Sequence, residues 1–157
     1  MKIELLVIGK TDTPYLREGI SLYEERLKHY VSYSKREIPD IRNVSVLSKK
    51  QIKEREGELI LKALKDGDYL ILLDERGELG NSEEFASRIE RLRVSGVKRV
   101  VFSVGGAYGF SDAVYSRSND KFSLSKMTFS HQMVRVIFLE QLYRAFTILK
   151  GEPYHNR

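Results

Sequence analysis

Residues 69–74, YLILLD, and residues 100–106, VVFSVGG, decide how this chain reads. Each is an unbroken apolar run of strand length that stops where the chain can turn. A strand without polar alternation is covered on both faces, as in a parallel sheet whose crossover connections lay helices on either side. Outward from these two, Lys2–Ile8 (KIELLVI), closed by Gly9, predicts another buried strand. Tyr33–Ile38 (YSKREI) predicts a weaker one, charged at its centre and limited by Pro39, and Phe122–Leu124 a short last one.

Helical spacing fills the gaps between the strands. Thr13 as N-cap and Pro14 at the first helical position open a helix whose apolar residues Leu16, Ile20, Tyr23 and Leu27 carry it to near Tyr30. Asp40–Ser48 reads as a loop. Lys49–Lys65 is strongly polar but keeps Ile52, Leu59, Ile60, Leu61 and Leu64, which predicts a helix docked mainly by its C-terminal half. Asn81 with Glu84 forms a capping-box pattern ahead of Phe85, Ile89 and Leu92, and that helix stops at Gly96. A short helix over Asp112–Arg117 follows Ser111. Gln132–Leu149 is the longest helix and is apolar almost all round, unlike a surface helix. Alternating strands and helices make this an α/β fold with a mostly parallel sheet flanked by helices. The apolar last helix points to a second copy packed on it in a C2 homodimer; a helix merely sandwiched inside one core is the plainer alternative.

Composition bounds the rest. A chain of 157 residues is the size of one domain, 1–157, and 41% hydrophobic with 31% charged residues is globular rather than disordered. The absence of cysteine excludes disulfides, thiolate nucleophiles and cysteine-built metal sites. No run of 18 apolar residues and no leader pattern point to a soluble protein that does not engage a membrane. The net charge is +5, and residues 121–157 hold six basic residues against two acids, so four of the five excess charges lie there. A localised positive field suits a polyanion, of which nucleic acid is the commonest, although a solvated basic helix face also explains it.

In open α/β sheets ligands sit beyond the carboxyl ends of the strands. Three segments qualify: Leu73-Asp74-Glu75-Arg76-Gly77, Gly105-Gly106-Ala107-Tyr108-Gly109, and Leu124-Ser125-Lys126-Met127-Thr128-Phe129. The glycine segment is not a dinucleotide fingerprint, since its spacing is G-G-x-x-G and no acid stands between Asp120 and Glu140. Nor is it a P-loop, because no Lys-Ser or Lys-Thr follows. Gly105 and Gly106 do permit close approach of backbone to a ligand, or simply a tight turn. The three histidines, His29, His131 and His155, are not clustered with carboxylates, so no metal is assigned. His131 lies where the chain enters the last helix, His155 in the tail Pro153–Arg157, and Glu140 with Arg144 stand four apart on that helix. Each has an ordinary explanation as a helix-end polar residue, a disordered tail or a surface ion pair.

The start MKIELLVIGK, Leu73-Asp74 with Gly77, VGGAYG, LSKMTFSHQMVRVIFLEQLYRAF and the terminal PYH together resemble the SPOUT class, specifically the bacterial enzymes that methylate N3 of a pseudouridine in large-subunit rRNA. The resemblance runs from the first residue to the last. It implies a C-terminal deep trefoil knot that binds S-adenosylmethionine, a homodimer with the substrate site at its interface, and a substrate in helix 69 of 23S rRNA on the assembled ribosome. It further implies a cytoplasmic enzyme that needs no metal. Carried over position by position, cofactor contacts fall on Leu73, Gly105, Leu124, Ser125, Lys126, Met127, Thr128 and Phe129. Substrate binding or activity falls on His131, Arg144, Tyr154 and His155, with Glu140 a weaker member. Two positions depart from the family pattern: Ser130 replaces a proline before the histidine, and Asn156 separates Tyr154-His155 from Arg157.

This reading implies that N3 loses its imide proton as it attacks the methyl group. His131, His155 or water is the candidate acceptor, Arg144 the group to stabilise the developing anion, and Tyr154 a platform for the unstacked base. Two other readings keep the pocket but change the outcome: a non-catalytic ribosome-binding or assembly factor, and a SPOUT methyltransferase acting on another RNA such as tRNA.

Overall fold

The computed structural model describes residues 1–156; Arg157 lies outside them. Strands β1 (Lys2–Ile8), β2 (Ser32–Ile38), β3 (Tyr69–Leu79), β4 (Arg99–Val104) and β5 (Asp120–Ser123) form one sheet in the order β2-β1-β4-β3-β5. Every pairing is parallel. Helices α1 (Pro14–Leu27), α2 (Lys49–Ala63), α3 (Ser82–Val94), α4 (Asp112–Arg117) and α5 (Met133–Leu149) connect or follow them.

The pleat of the central strands divides the core in two. Ile3, Leu5 and Val7 of β1, Ile71 and Leu73 of β3, and Val100, Phe102 and Val104 of β4 face a cluster shared with α1, α3 and α5. Leu6, Ile8, Leu70, Leu72 and Val101 face the other, covered by α2 and α4. Both faces of β3 and β4 are therefore apolar, as their unbroken runs predict. On the first face Phe85, Phe102, Phe122 and Phe138 interlock, with ring centroids 4.7 Å apart for Phe102–Phe138 and 5.0 Å for Phe85–Phe122. Burying side chains of this size contributes about 1.5–3 kcal/mol each. Helix α5 lies between α1 and α3 on this face, which accounts for much of its apolar girth.

Local signals fix several boundaries. Both arms of the capping box at α3 are made, Glu84 N to Asn81 Oδ1 and Asn81 N to Glu84 Oε2, each 2.8 Å. Ser48 and Gln51 form a second one at α2. Thr13 stands at the N-cap of α1, but its side chain makes no capping bond.

Three expectations need correction. β3 does not stop at Asp74: after a break in register it pairs again, Glu78 with Phe122 and Leu79 with Ser123, a partner that local pattern cannot reveal. β5 starts at Asp120 rather than Phe122, because Asp120 and Lys121 pair with Ile71 and Leu72, while Leu124 has already left the sheet. Helix α1 ends at Leu27, and bonds from His29 to Arg26 and from Tyr30 to Leu27 tighten the residues beyond it into a turn. Helix α2 docks mainly by its C-terminal half, as its sequence predicts, with Ile60 buried and Leu59, Leu61, Ala63 and Leu64 packed beside it, while Ile52, Glu56 and Gly57 extend the buried face toward its start. Gly57 makes this possible, since a Cβ there would lie 2.3 Å from Ser111 Oγ of the cap of α4. The Asp40–Ser48 loop contains a short 3-10 turn, Val44–Val46. No helix among the described residues is long and apolar enough to cross a membrane.

Candidate active site

The carboxyl ends of β3, β4 and β5 open into a cleft of about 200 Å³. The three loops singled out by sequence meet there. Its inner wall is apolar, with Leu73, Val104, Phe110, Phe122, Leu124 and Phe129, and its floor is the backbone of Gly105, Gly106 and Gly109. The floor is a tight turn: Gly109 N donates to Gly106 O at 3.1 Å, and Gly109 has φ +86°, in the left-handed region that favours glycine. A Cβ at Gly105 would come 3.2 Å from the Gly109 carbonyl carbon.

Polar groups lock the rim. Asp74 accepts from the Tyr115 hydroxyl and, at 3.1 Å, from Arg76 N. Burial, and then Asp74, pushes the Tyr115 hydroxyl up to about 12, so it stays a donor. Thr128 Oγ1 donates to Glu75 Oε2 at 2.8 Å and pins the 124–129 segment across the end of β3. Ser125 Oγ accepts from Met127 N at 2.9 Å and turns that segment inward. Seven of the eight sequence-chosen cofactor residues line the cleft; Lys126 does not, and its side chain is exposed.

Among the described residues the cleft wall carries two carboxylates, Asp74 and Glu75, and no lysine or arginine. Beneath it lies a third acid. Glu56 of α2 is 8% exposed and its Oε1 has no hydrogen-bond partner, while a Cβ on Gly106 would come 2.6 Å from both of its carboxylate oxygens. Burial, and then the neighbouring Asp40, raises this carboxyl to about 7. A glycine-floored slot with apolar walls and acidic surroundings suits a small molecule that is partly apolar and positively charged. It does not fit a phosphate-bearing cofactor, which calls for basic groups or a helix N-terminus.

His131 lines the same cleft from the turn ahead of α5. Burial, and then Arg135, pushes its imidazole below the ordinary histidine value. Arg135 is 1% exposed and is the largest fully buried side chain. Its guanidinium donates to Ile8 O at 2.6 Å, Gly9 O at 3.0 Å, Thr11 Oγ1 at 3.1 Å and His131 O at 3.3 Å. It thereby ties the carboxyl end of β1 to the turn that carries His131. Gln132 adds a second tie, accepting from Asp12 N and donating to Asp12 Oδ2, each 3.0 Å.

The remaining candidates gather at the other end of α5. Arg144 donates to Glu140 Oε1 through Nη2 at 2.5 Å and through Nε at 3.1 Å. It also meets His155 Nδ1 at 3.1 Å and lies over the Tyr154 ring, 4.7 Å from its centroid. Tyr154 donates to Glu140 Oε1 at 3.0 Å. Burial raises the Tyr154 hydroxyl well above its usual range, and Glu140 keeps the Arg144 guanidinium charged. Tyr154 and His155 of the tail are thus fastened rather than loose. His131 and Arg144 are separated by most of α5, about 20 Å at 1.5 Å per residue. One protomer therefore brings Arg144, Tyr154 and His155 together, with Glu140, but leaves them remote from the cleft and His131.

Sequence reasoning missed Glu56, Glu83, Arg135 and the Glu75–Thr128 tie. Arg135 had a signal, being a cation on an otherwise apolar helix face one turn beyond His131. Glu83, whose Oε1 lies 3.1 Å from His155 Nε2, had none, because acids are ordinary in the first turn of a helix. No group of three metal-ligating side chains gathers among the described residues.

The chain is similar to known proteins along its whole length. A family profile described as "Predicted SPOUT methyltransferase" matches residues 1–155. The ribosomal RNA large subunit methyltransferase H of Parabacteroides distasonis is 58% identical over 156 residues, 99% of each chain. The proteins of the same name from Christiangramia forsetii and Flavobacterium johnsoniae are each 52% identical over 157 residues, 100% of each chain. From its first strand to its tail, this chain belongs to the SPOUT methyltransferase family.

Proposed function

We propose that this chain is a cytoplasmic, homodimeric enzyme that transfers the methyl group of S-adenosylmethionine to N3 of a pseudouridine in helix 69 of 23S rRNA on the assembled ribosome. The whole chain acts as one domain. The observation that carries the donor is the cleft: three acidic side chains on or beneath its walls and, among the described residues, no lysine or arginine lining it. Bound there, the donor supplies an electrophilic methyl group on a cationic sulfur. Leu73 and the 124–129 segment would grip its flat ring, the Gly105–Gly106 backbone would approach it closely, and Phe129 and Val134 help to exclude water. The names of the relatives support large-subunit rRNA as the acceptor.

The separation along α5 supports the homodimer. A transfer site needs the donor cleft beside groups that hold the RNA, and these lie at opposite ends of one helix. A second copy related by a two-fold axis, packed on α5, brings the Arg144 end of one protomer to the cleft of its partner. Arg144 would then stabilise the imide anion, and Tyr154 would stack on the unpaired base. Knotted threading of the C-terminal third is supported locally by Leu73 and Glu78, which both pair with Phe122, so that 74–77 folds over β5. A Cβ at Gly77 would sit 2.6 Å from Phe122 N.

The test is transfer of labelled methyl from S-adenosylmethionine to ribosomes lacking the modification, with mass mapping of the rRNA. The expected product carries one methyl group on N3 of the helix 69 pseudouridine. Donor binding without transfer to any RNA overturns the enzyme in favour of the non-catalytic ribosome-binding factor, and transfer to tRNA alone overturns the substrate.

A further inference from the structure

His155 is held by two partners of opposite character. Arg144 Nη1 lies 3.1 Å from Nδ1, and Glu83 Oε1 lies 3.1 Å from Nε2. A guanidinium has donors only, so Nδ1 is the acceptor of that bond and carries no proton. The ring proton therefore sits on Nε2 and is donated to Glu83. Glu83 stands in the first turn of α3, a different element from the tail and from α5, and its own side chain is half exposed while that of His155 is largely covered. The charged and titratable groups around the ring are Glu83 from α3, Arg144 and Glu140 from α5, and Tyr154 beside it in the tail.

We propose that Glu83 is a positioning residue for His155, fixing the tautomer that presents Nδ1 as the acceptor of the imide proton and stabilising the imidazolium that results. The proposal rests on the function proposed above. In the bound complex Arg144 turns from Nδ1 toward the imide oxygen, where negative charge develops, and so unmasks the acceptor. The N3–H bond breaks as an Nδ1–H bond forms; the pair of electrons left on N3 bonds the methyl carbon as that carbon's bond to the donor sulfur breaks, its electrons staying on a sulfur that becomes neutral, and the imidazolium later returns its proton to water. Glu83 keeps its bond to Nε2–H throughout and gains strength from the new positive charge, as a carboxylate behind an imidazole base does. His131 is the poorer acceptor, because burial and Arg135 both oppose its protonation.

The test uses the full chain labelled with ¹⁵N-histidine, which contains only three histidines, so a His155→Gln variant assigns the signal. The wild type is expected to show a protected, downfield Nε2–H proton on His155 and no proton on Nδ1. Glu83→Ala should lose that resonance and lower kcat for methyl transfer about tenfold, with the KM for the methyl donor unchanged. Glu83→Gln should keep the resonance, since its amide oxygen still accepts, but recover only part of kcat, since the charge is gone. A proton on Nδ1 in the wild type overturns the proposal. So does a Glu83→Ala chain that keeps both the resonance and full kcat, or one whose loss is entirely in donor KM. A wild-type chain that transfers no methyl to any RNA overturns the functional reading and the base role with it, while the resonance still reports whether Glu83 holds the ring.

Discussion

The two ends of α5 are built in opposite ways. At its N-terminal end the cleft is mostly shape: a glycine floor, apolar walls and backbone turned inward, with charged groups kept at the rim or beneath the floor. At its C-terminal end almost nothing is backbone. Glu140, Arg144, Tyr154, His155 and Glu83 bond to one another through side chains alone. A pocket made of backbone is damaged by adding atoms, whereas a cluster of side chains is damaged by removing them. The difference suits a small donor held by close contact at one end and a large polyanion held by charge at the other.

The sharpest way to break this contrast is Arg144→Ala. Loss of a preorganised donor to a developing anion costs roughly 10²–10³ in rate, and donor affinity should be unchanged, because the cleft is most of a helix away. Single-turnover transfer and calorimetric donor binding read the two quantities separately. An equal loss in both would mean that the ends are not independent. The next test asks whether the two ends meet across two copies, as the proposed dimer requires. Mixing Gly105→Val chains, whose added side chain crowds the Gly109 backbone at the cleft floor, with Arg144→Ala chains, each nearly inactive, should restore about a quarter of wild-type activity, since half of randomly paired dimers are mixed and each holds one intact site of two. No recovery after demonstrated subunit exchange would place both residues in one protomer's site.

Legibility divided along the same line. The central strands could be read because Leu70–Leu73 and Val100–Val104 are apolar on both faces, and α3 could be read because Asn81 and Glu84 cap it locally. The loops of the cleft could be placed because strand ends fix where a parallel sheet binds ligands. What escaped was long-range. The second pairing of β3 depends on a strand more than forty residues away, and Glu56 reaches Gly106 only because Gly57 lets α2 close on α4. Arg135 escaped because its partners are carbonyls of β1, which leave no mark in the sequence.

Adding one carbon at the cleft end tests the other half of the comparison. Gly77→Ala would place its Cβ 2.6 Å from Phe122 N and 2.7 Å from the Lys121 carbonyl carbon, both backbone atoms that cannot rotate away. The expected cost is about 1–3 kcal/mol of stability, with donor affinity reduced roughly tenfold as β5 and the 124–129 segment shift. Denaturant titration and donor binding measure the two effects. A variant that keeps wild-type stability would show that the 74–77 segment is loosely packed and that the cleft tolerates added atoms after all.

The smallest expected effect concerns the acid beneath the floor. Glu56 titrates near 7 in the folded chain against an ordinary value of 4.5, because burial and Asp40 oppose its charge. Between those two values the folded state binds the proton more tightly than the unfolded one, so stability falls as pH rises through that window and levels off above it. The part lost is at most about 3 kcal/mol, at 1.36 kcal/mol per unit. Glu56→Gln keeps the shape and removes the titration, so its stability should stay flat from pH 4.5 to 7, and above that range it should be the more stable chain. A positively charged donor in the cleft should oppose the effect in the wild type by favouring the ionised carboxyl. Donor binding near neutral pH should then release protons, a release seen as a buffer-dependent heat and absent in Glu56→Gln. Parallel pH–stability curves for the two chains would show that Glu56 is charged and solvated in the folded protein, and would remove the buried acid from the description of the cleft.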